Sequence, residues 1–462
     1  MTQSPAKKSF FNRNVDLMNG PIFKSLFVFM LPILVSCLFQ QLYNTVDTMI
    51  VGNVLGDTAL AAIGACGAIY ELLVGFGIGI GNGLAIVAAR AYGAGDEDQL
   101  KQTVAGSIVI GIIASAVITL AGAAGLHPLL ELLDTPAEIL EDAYGYIIII
   151  DLGVIVMFAY NLCAGLLRAI GNSFMPLVFL VLSSCLNIGL DLFFITQLHM
   201  GVGGAAVATV IAQGISVVLC LIYILKKAPV LIPQRRHFKV ERGIYAEMLG
   251  QGLSMGFMGS IVAAGSVVLQ YGINNLGTLV IAGHTAARKL FMFFNMPFSA
   301  MAMAISTFVS QNRGADQRTR ILKAMRCAVL YDIAMAAGVT VILLLFAPAL
   351  VQLISGSQEA VVLNNGALYL RVVGPFYAVL GVLLEPRYAL QGLGAKMIPL
   401  VSSVIELLGK VVFAFVFIPR FQYLAVIFCE PVIWCLMTAQ LIYAYATHPY
   451  IRGEKGKAEL SV

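Results

Sequence analysis

Long apolar segments recur along the chain, separated by short stretches of glycine, proline or charged residues. Each segment reaches the length of about 20 residues that a helix needs to cross a bilayer. The pattern predicts twelve transmembrane helices, at residues 24–48, 60–88, 102–126, 144–167, 174–196, 203–225, 246–274, 279–310, 322–349, 366–390, 397–418 and 423–447. Several of these segments exceed the hydrocarbon thickness, so we expect those helices to tilt or to protrude.

The chain repeats itself at half its length, which predicts two lobes of the same architecture. Residues 60–95 align without gaps with residues 279–314, and LLRAIGNSFMPL at 166–177 matches ALQGLGAKMIPL at 389–400. We expect an N-terminal six-helix lobe at 1–225, a linker at 226–243, a C-terminal six-helix lobe at 244–447 and a tail at 448–462. Because six is even, the two lobes enter the membrane in the same sense, and their pseudo-symmetry axis should follow the membrane normal.

Composition and charge agree with a chain that faces lipid. The 462 residues are 60% hydrophobic and 11% charged, whereas a soluble domain has about 25% charged residues. Lysine and arginine are concentrated in alternate loops, most densely at 226–243 and 313–326, and the opposite loops are acidic at 131–142. The positive-inside rule therefore predicts a multi-pass protein of the plasma (inner) membrane with both termini cytoplasmic. This loop bias also accounts for the net charge of +4, so no nucleic-acid partner is expected.

Two carboxylates and several other oxygen-bearing side chains fall inside the N-terminal spans, where a polar or ionisable residue is a functional candidate. The set comprises Tyr43 and Asp47 of the first helix, Asn161 of the fourth, Asn187 and Asp191 of the fifth and Thr209 of the sixth. Residues four apart share a helix face, so the two acids each have a polar neighbour one turn away. All-oxygen ligation suits Na⁺, and paired carboxylates can also share a proton. The alternative is that the acids only bind helices together.

The C-terminal half does not copy this arrangement. By the repeat, Asp47 corresponds to Ser266 and Asp191 corresponds to Ala414. This half carries a candidate polar network of its own, formed by Arg288, Glu385, Glu406 and Lys410. Among these, the glutamate and the lysine of the eleventh helix are spaced i, i+4 and should pair.

Several motifs, taken in order, resemble the multidrug and toxic compound extrusion (MATE) transporters. They are PILVSCLFQQLYNTVDTMIVG at 32–52, LAAIG at 60–64, NIGLD at 187–191, GGAAVAT at 203–209 and ALQGLG at 389–394. The resemblance runs from about Pro21 to His448 and is nearest to the bacterial DinF-like branch. It implies a V-shaped pair of six-helix lobes that exports small, often cationic, organic compounds such as drugs and dyes. It also implies antiport with H⁺ or Na⁺ as the coupling ion, and no resident cofactor.

The resemblance also assigns site residues. In similar proteins the cation site uses the positions of Asp47, Asn187, Asp191 and Thr209, with Tyr43 and Asn161 adjoining, and Pro32 matches a proposed hinge in the first helix. Some relatives bind Na⁺ in the second lobe through acids of the seventh and tenth helices. The seventh helix here has Gln251 and Gln270 but no buried acid, so we place the ion site in the first lobe.

Other functions fit the residues less well. A flippase for a lipid-linked metabolite, or an exporter of another endogenous metabolite, is the alternative. Its anionic cargo would suit the cations Arg288, Lys289, Arg387 and Lys410. Asp47 and Asp191 argue against it. An intramembrane enzyme would need a nucleophile–base pair or a metal motif such as HExxH, and the sequence has neither. We therefore expect a monomeric transporter, not an enzyme, whose partners are small organic substrates and membrane lipid.

Overall fold

The computed structural model describes residues 14–133 and 135–454, and for Ala68 and Leu132 it describes the backbone only. Helices account for nearly all of this part of the chain. The predicted basic ends, residues 1–13 and 455–462, lie outside it. The helices of the N-terminal half are α1 (Ile22–Leu55), α2 (Asp57–Gly93), α3 (Glu97–Leu132), α4 (Ala137–Leu152), α5 (Val154–Ala169), α6 (Phe174–Leu192) and α7 (Gly201–Lys227). Those of the C-terminal half are α8 (Arg242–Asn274), α9 (Thr278–Gly314), α10 (Arg318–Ser355), α11 (Ala360–Val373), α12 (Tyr377–Gly392), α13 (Met397–Val412), α14 (Ile418–Phe421), α15 (Tyr423–Thr447) and α16 (Pro449–Arg452).

The predicted count of twelve spans is confirmed. Eleven of the described segments are long and apolar enough to cross a membrane, and α4 and α5, bent by 47° at their junction, form the twelfth. Most of the predicted spans are shorter than the helices, because helical hydrogen bonding continues past the apolar stretch, whereas the last, 423–447, coincides with α15. For example, α1 extends to Leu55 and ends where Gly56 adopts φ 87°, a left-handed conformation that glycine tolerates.

The two halves resemble each other in detail. The repeat-related helices α2 and α9 both have 37 residues. A π-helical turn follows α6 at Phe193–Gln197, and another follows α13 at Phe413–Phe417. Between the halves, the linker forms two short 3₁₀ turns, Pro229–Leu231 and Arg235–Phe238.

The halves contact each other mainly through α2, which packs against α8 and α9. Glycines make this approach close: a β-carbon on Gly79 would lie 2.7 Å from Gly256 Cα, and one on Gly83 would lie 2.6 Å from the carbonyl oxygen of Gln251. At the end of α2, Gly93 lies directly against the Gln311 backbone of α9. These contacts occupy the ends of α2 and α9 and the start of α8.

Further polar contacts close the same side. Ser310 Oγ donates to the Ile86 carbonyl at 2.6 Å, and Gln311 Nε2 donates to the Ala169 carbonyl at 2.7 Å. Arg90 forms an ion pair with Glu247. With an even number of spans, this is the side of the membrane that carries both ends of the described chain, and we refer to it as the terminal side.

Contact between the halves stops partway across the membrane. Toward the opposite side the contact continues to the Phe76 and Phe257 rings, whose centroids are 5.3 Å apart, and to Gly75 and Gly259. Beyond them Glu71 of α2 and Gln41 and Asn44 of α1 are exposed. The halves are in contact on the terminal side, and we refer to the opposite side, where these polar side chains are exposed, as the open side.

Candidate functional site

Two acidic side chains meet in the outer part of the N-terminal half, away from the terminal side. Asp47 stands on the second half of α1 and Asp191 stands at the end of α6, and these two helices pack together. Their carboxyl groups are within hydrogen-bonding range of each other. Asp191 is 0% exposed, and Oδ1 of Asp47 is buried without a described partner. Two helices thus contribute one carboxyl each to a single buried point.

Asn187 connects this pair to α7. It lies one helical turn before Asp191 and is buried. In the amide orientation that satisfies both of its polar atoms, Nδ2 donates to Asp191 Oδ2 at 2.9 Å and Oδ1 accepts the Thr209 backbone N–H at 3.1 Å. The opposite orientation gives only longer bonds, 3.5 Å to Asp191 and 3.3 Å to Thr209. We adopt the first because it leaves neither amide atom facing a like group.

Tyr43 completes the link between α1 and α7. Its hydroxyl lies 3.1 Å from Thr209 Oγ1, and it shares a helix face with Asp47 because the two are four residues apart. The structure therefore brings five of the six predicted residues into one contact chain, namely Tyr43, Asp47, Asn187, Asp191 and Thr209.

Asn161 is near this chain but not bonded to it. Its amide donates to the Met157 carbonyl of its own helix at 2.9 Å. It instead helps to line a cavity of about 180 Å³ in the N-terminal half, together with Tyr43, Tyr70, Glu71, Thr209 and Gln213.

Pro32, the predicted hinge, lies inside the uninterrupted helix α1. Its carbonyl accepts a hydrogen bond from Ser36 Oγ at 2.8 Å. Proline removes one backbone hydrogen bond from a helix interior, so this is a point where the helix bends more easily than elsewhere.

The four predicted polar residues of the C-terminal half fall into three separate contacts instead of one network. Lys410 Nζ donates to Glu406 Oε1 at 2.8 Å, which is the i, i+4 pair expected from their spacing, and to Ser266 Oγ at 3.2 Å. Glu385 contacts neither of them, and its neighbour is Asp332 of α10. The separation follows from helix crossing angles, which spacing along the chain does not reveal.

Arg288 forms the third contact. Its Nη1 donates to both carboxylate oxygens of Glu430, at 2.6 and 2.7 Å, and the Tyr369 hydroxyl donates to Glu430 Oε2 at 2.9 Å. The guanidinium also lies 4.8 Å from the Phe291 ring centroid. Through these hydrogen bonds the Arg288 guanidinium and the Glu430 carboxylate connect α9, α11 and α15.

Asp332 is absent from the residues predicted from the sequence, although a signal for it exists. It is a lone acid in an apolar run of α10, and an acid at membrane depth is a functional candidate by default. Its pairing with Glu385 depends on how α10 packs against α12, and only the structure gives that.

Comparisons with known proteins agree with the architecture. A family model described as MatE matches residues 32–193 and 255–416, once in each half. "Probable multidrug resistance protein YpnP" of Bacillus subtilis (strain 168) is 27% identical over 394 residues, covering 85% of this chain and 87% of the relative. "Multidrug export protein MepA" of Staphylococcus haemolyticus (strain JCSC1435) is 23% identical over 434 residues and covers 92% of both chains.

The fold also matches a solved structure. "Outward-facing conformation of a multidrug resistance MATE family transporter of the MOP superfamily" superposes with a TM-score of 0.86 at 22% identity, covering 94% of this chain and 98% of that one. None of these matches singles out the DinF-like branch, which stays a prediction.

Proposed function

The chain belongs to the MatE family, and from this premise we propose that it exports small organic molecules across the membrane as a secondary active transporter. Relatives that cover most of its length are described as multidrug resistance and multidrug export proteins. It is a transporter and not an enzyme. The names of these relatives give no support to the alternative of a flippase for a lipid-linked metabolite.

We propose that export is driven by antiport of an ion at Asp47 and Asp191. The observation that carries this proposal is the contact between the two carboxyls in a buried setting. Two ionised carboxylates in contact repel each other and lose hydration, so a bound cation stabilises the contact. Antiport needs ion and cargo to weaken each other's binding, and an ion that draws α1 toward α6 can do this by reshaping the cavity beside Tyr43.

A proton fits this pair better than Na⁺. Asn187 turns its Nδ2 toward Asp191 and gives its oxygen to the Thr209 N–H, so the amide donates to the carboxylate and offers no oxygen to a metal ion. A Na⁺ site at Asp47, Asn187, Asp191 and Thr209 would require this amide to turn over. The proton has no such requirement, because one carboxyl then donates directly to the other.

Alternating access is the proposed cycle. If both termini are cytoplasmic, the closed terminal side faces the cytoplasm and the open side faces outward, where Asp47 can load its ion. Movement of α1, helped by Pro32, then accompanies release of cargo. The exposed carboxylate of Glu71 at the cavity favours cationic organic cargo. We further propose that the chain acts as a monomer surrounded by lipid.

Purified protein in proteoliposomes tests the ion directly. A fluorescent organic cation is loaded, and either a proton gradient or a sodium gradient is imposed across the same membrane. We expect efflux to follow the proton gradient and to stop when a protonophore collapses it. Efflux that requires Na⁺ would overturn the choice of ion, and a flux that responds to neither gradient would overturn antiport.

A further inference from the structure

A second pair of carboxyl groups lies in contact inside the C-terminal half. Asp332 of α10 and Glu385 of α12 are within hydrogen-bonding range of each other, and both residues are 0% exposed. Gly381, one turn before Glu385, allows this approach. A β-carbon at Gly381 would lie 2.6 Å from Asp332 Cβ and 3.1 Å from its Oδ2, so a larger residue there would push the two helices apart.

The pair has no donor among the residues that the structure describes. All four of its carboxyl oxygens are buried without a hydrogen-bond partner. Of the buried arginines on nearby helices, Arg288 pairs with Glu430, and Arg387 donates to Ser403; neither donates to Asp332 or Glu385. Buried polar groups are nearly always hydrogen-bonded, so four oxygens without a donor indicate that something absent from the protein chain binds here.

No described lysine, arginine or histidine forms an ion pair with Asp332 or Glu385. Arg90 pairs with Glu247 and Lys410 pairs with Glu406. Two tyrosines, Tyr331 and Tyr388, are titratable neighbours of the pair. His284 of α9 contacts a different residue, since its Nδ1 lies 3.4 Å from Tyr423 Oη. The exposed cations are Lys24 of α1, Lys289 of α9, Lys323 and Arg326 of α10, Arg371 of α11 and Arg452 of α16.

A proton is the ligand that this chemistry fits. Two ionised carboxylates in contact and out of water are costly, by several kcal/mol per ion. The described residues contain no group of three or more histidine, cysteine, aspartate or glutamate side chains able to hold a metal ion. One proton turns one carboxyl into a donor to the other and leaves a single negative charge, and a second proton removes that charge.

A cavity between the halves lies one helical turn away. Tyr388 follows Glu385 by three residues and lines a cavity of about 70 Å³ between the two halves, with Asn82, Arg168 and Thr307. We refer to it as the interlobe cavity. We propose that Asp332 and Glu385 form a second proton-binding site, which exchanges its proton with water in the interlobe cavity on the side of Tyr388. On loading, a hydronium ion gives its proton to a carboxylate and leaves water, and the reverse step returns it.

The two carboxyl pairs lie at different depths. Asp332 is in the first half of α10, which begins on the terminal side, whereas Asp47 is in the second half of α1, toward the open side. The inferred site is therefore separate from the proposed coupling site, and it does not depend on the protein being an exporter.

Infrared spectroscopy of the purified full-length protein in lipid bilayers tests the inference. We expect a carboxylic acid C=O band that shifts in D₂O and disappears at alkaline pH. Glu385→Gln and Asp332→Asn should each lose this band. Glu406→Gln, a matched buried glutamate that is ion-paired with Lys410, should keep it.

Two results would overturn the inference. A Glu385→Gln spectrum identical to that of the unmodified protein would mean that the pair carries no proton. A band that belongs to the pair but does not shift in D₂O at any pH where the protein is folded would mean that its proton is locked in and does not exchange. If Glu385→Gln elutes as an aggregate, Asp332→Asn and the D₂O shift of the unmodified protein decide the same question.

Discussion

Asp47 of α1 lies within hydrogen-bonding range of Asp191 of α6. Neither acid forms an ion pair with a lysine or arginine in the portion of the chain that is described. In the proposed antiport, the position of α1 relative to α6 depends on whether this pair holds a cation. We propose that ion binding is coupled to helix movement through this contact.

Closure of the terminal side should depend on Gly93. A β-carbon there would overlap the Gln311 carbonyl oxygen of α9, so Gly93→Leu should hold the halves apart on this side. We expect efflux to fall by about tenfold, which needs only about 1.4 kcal/mol of bias between states. Gly64→Leu is the matched control, because a β-carbon at Gly64 meets nothing within 4 Å.

Distances between two spin labels measure directly how far apart the halves lie on the terminal side. Labels at exposed Glu97 and Thr319 report the separation of the halves on the terminal side, once the exposed Cys185 and Cys435 are replaced. The distance should lengthen in Gly93→Leu and not in the control. An unchanged distance together with normal efflux would show that this contact does not set the conformation.

The Arg288–Glu430 ion pair should stabilise the C-terminal half. Glu430→Gln leaves the guanidinium without a counter-charge, and removing one partner of a buried pair costs about 3–5 kcal/mol. We expect a loss of stability near the lower end of this range, because the Arg288 side chain keeps 26% of its surface exposed. Thermal unfolding in detergent measures the effect.

A double variant isolates the interaction between Arg288 and Glu430 from their contacts with other residues. Arg288→Met with Glu430→Gln should recover part of the lost stability, because no charge is then left unpaired. Glu97→Gln, which breaks an exposed pair with Lys101, should change the melting temperature little. Strictly additive single changes would mean that the two side chains do not stabilise each other.

His448 should make the terminal side sensitive to acid. Burial, together with the nearby Arg313 charge, lowers the pKa of this histidine from 6.5 to about 4. Its neutral Nδ1 accepts the Tyr450 N–H at 3.3 Å, at the start of α16. The unfolded chain therefore binds a proton between pH 6.5 and 4 that the folded chain does not, so stability is lost as pH falls through this range.

A substitution isolates this contribution from other titrating groups. In His448→Asn the side chain can still cap α16 but cannot take up a proton. The melting temperature of the unmodified protein should drop more between pH 7 and pH 5 than that of the variant. Parallel curves for the two proteins would exclude His448 as the cause.

Much of the N-terminal site can be predicted from sequence because a polar residue in an apolar span is conspicuous. Spacing alone places Asn187 beside Asp191 and Tyr43 beside Asp47, since residues four apart stack on a helix. The role of this cluster in ion coupling stays a prediction, and so does its choice of ion.

Contacts between helices are what the sequence does not give. The partner of Arg288 is Glu430, and no spacing rule connects residues on α9 and α15. The pairing of Asp332 with Glu385 depends in the same way on how closely α10 and α12 pack at Gly381. Such pairs follow from crossing geometry, which a single sequence does not encode in any local pattern.

Replacement of Asp47 tests the central claim most directly. Proton-driven efflux of a fluorescent cation is compared in proteoliposomes that contain the unmodified protein, Asp47→Asn or Asp151→Asn. Asp151 is also a buried acid of the N-terminal half, but it lies outside the contact chain. We predict that Asp47→Asn folds and reconstitutes yet loses efflux to the level of passive leak, while Asp151→Asn transports normally. Undiminished proton-driven efflux by Asp47→Asn would contradict the account.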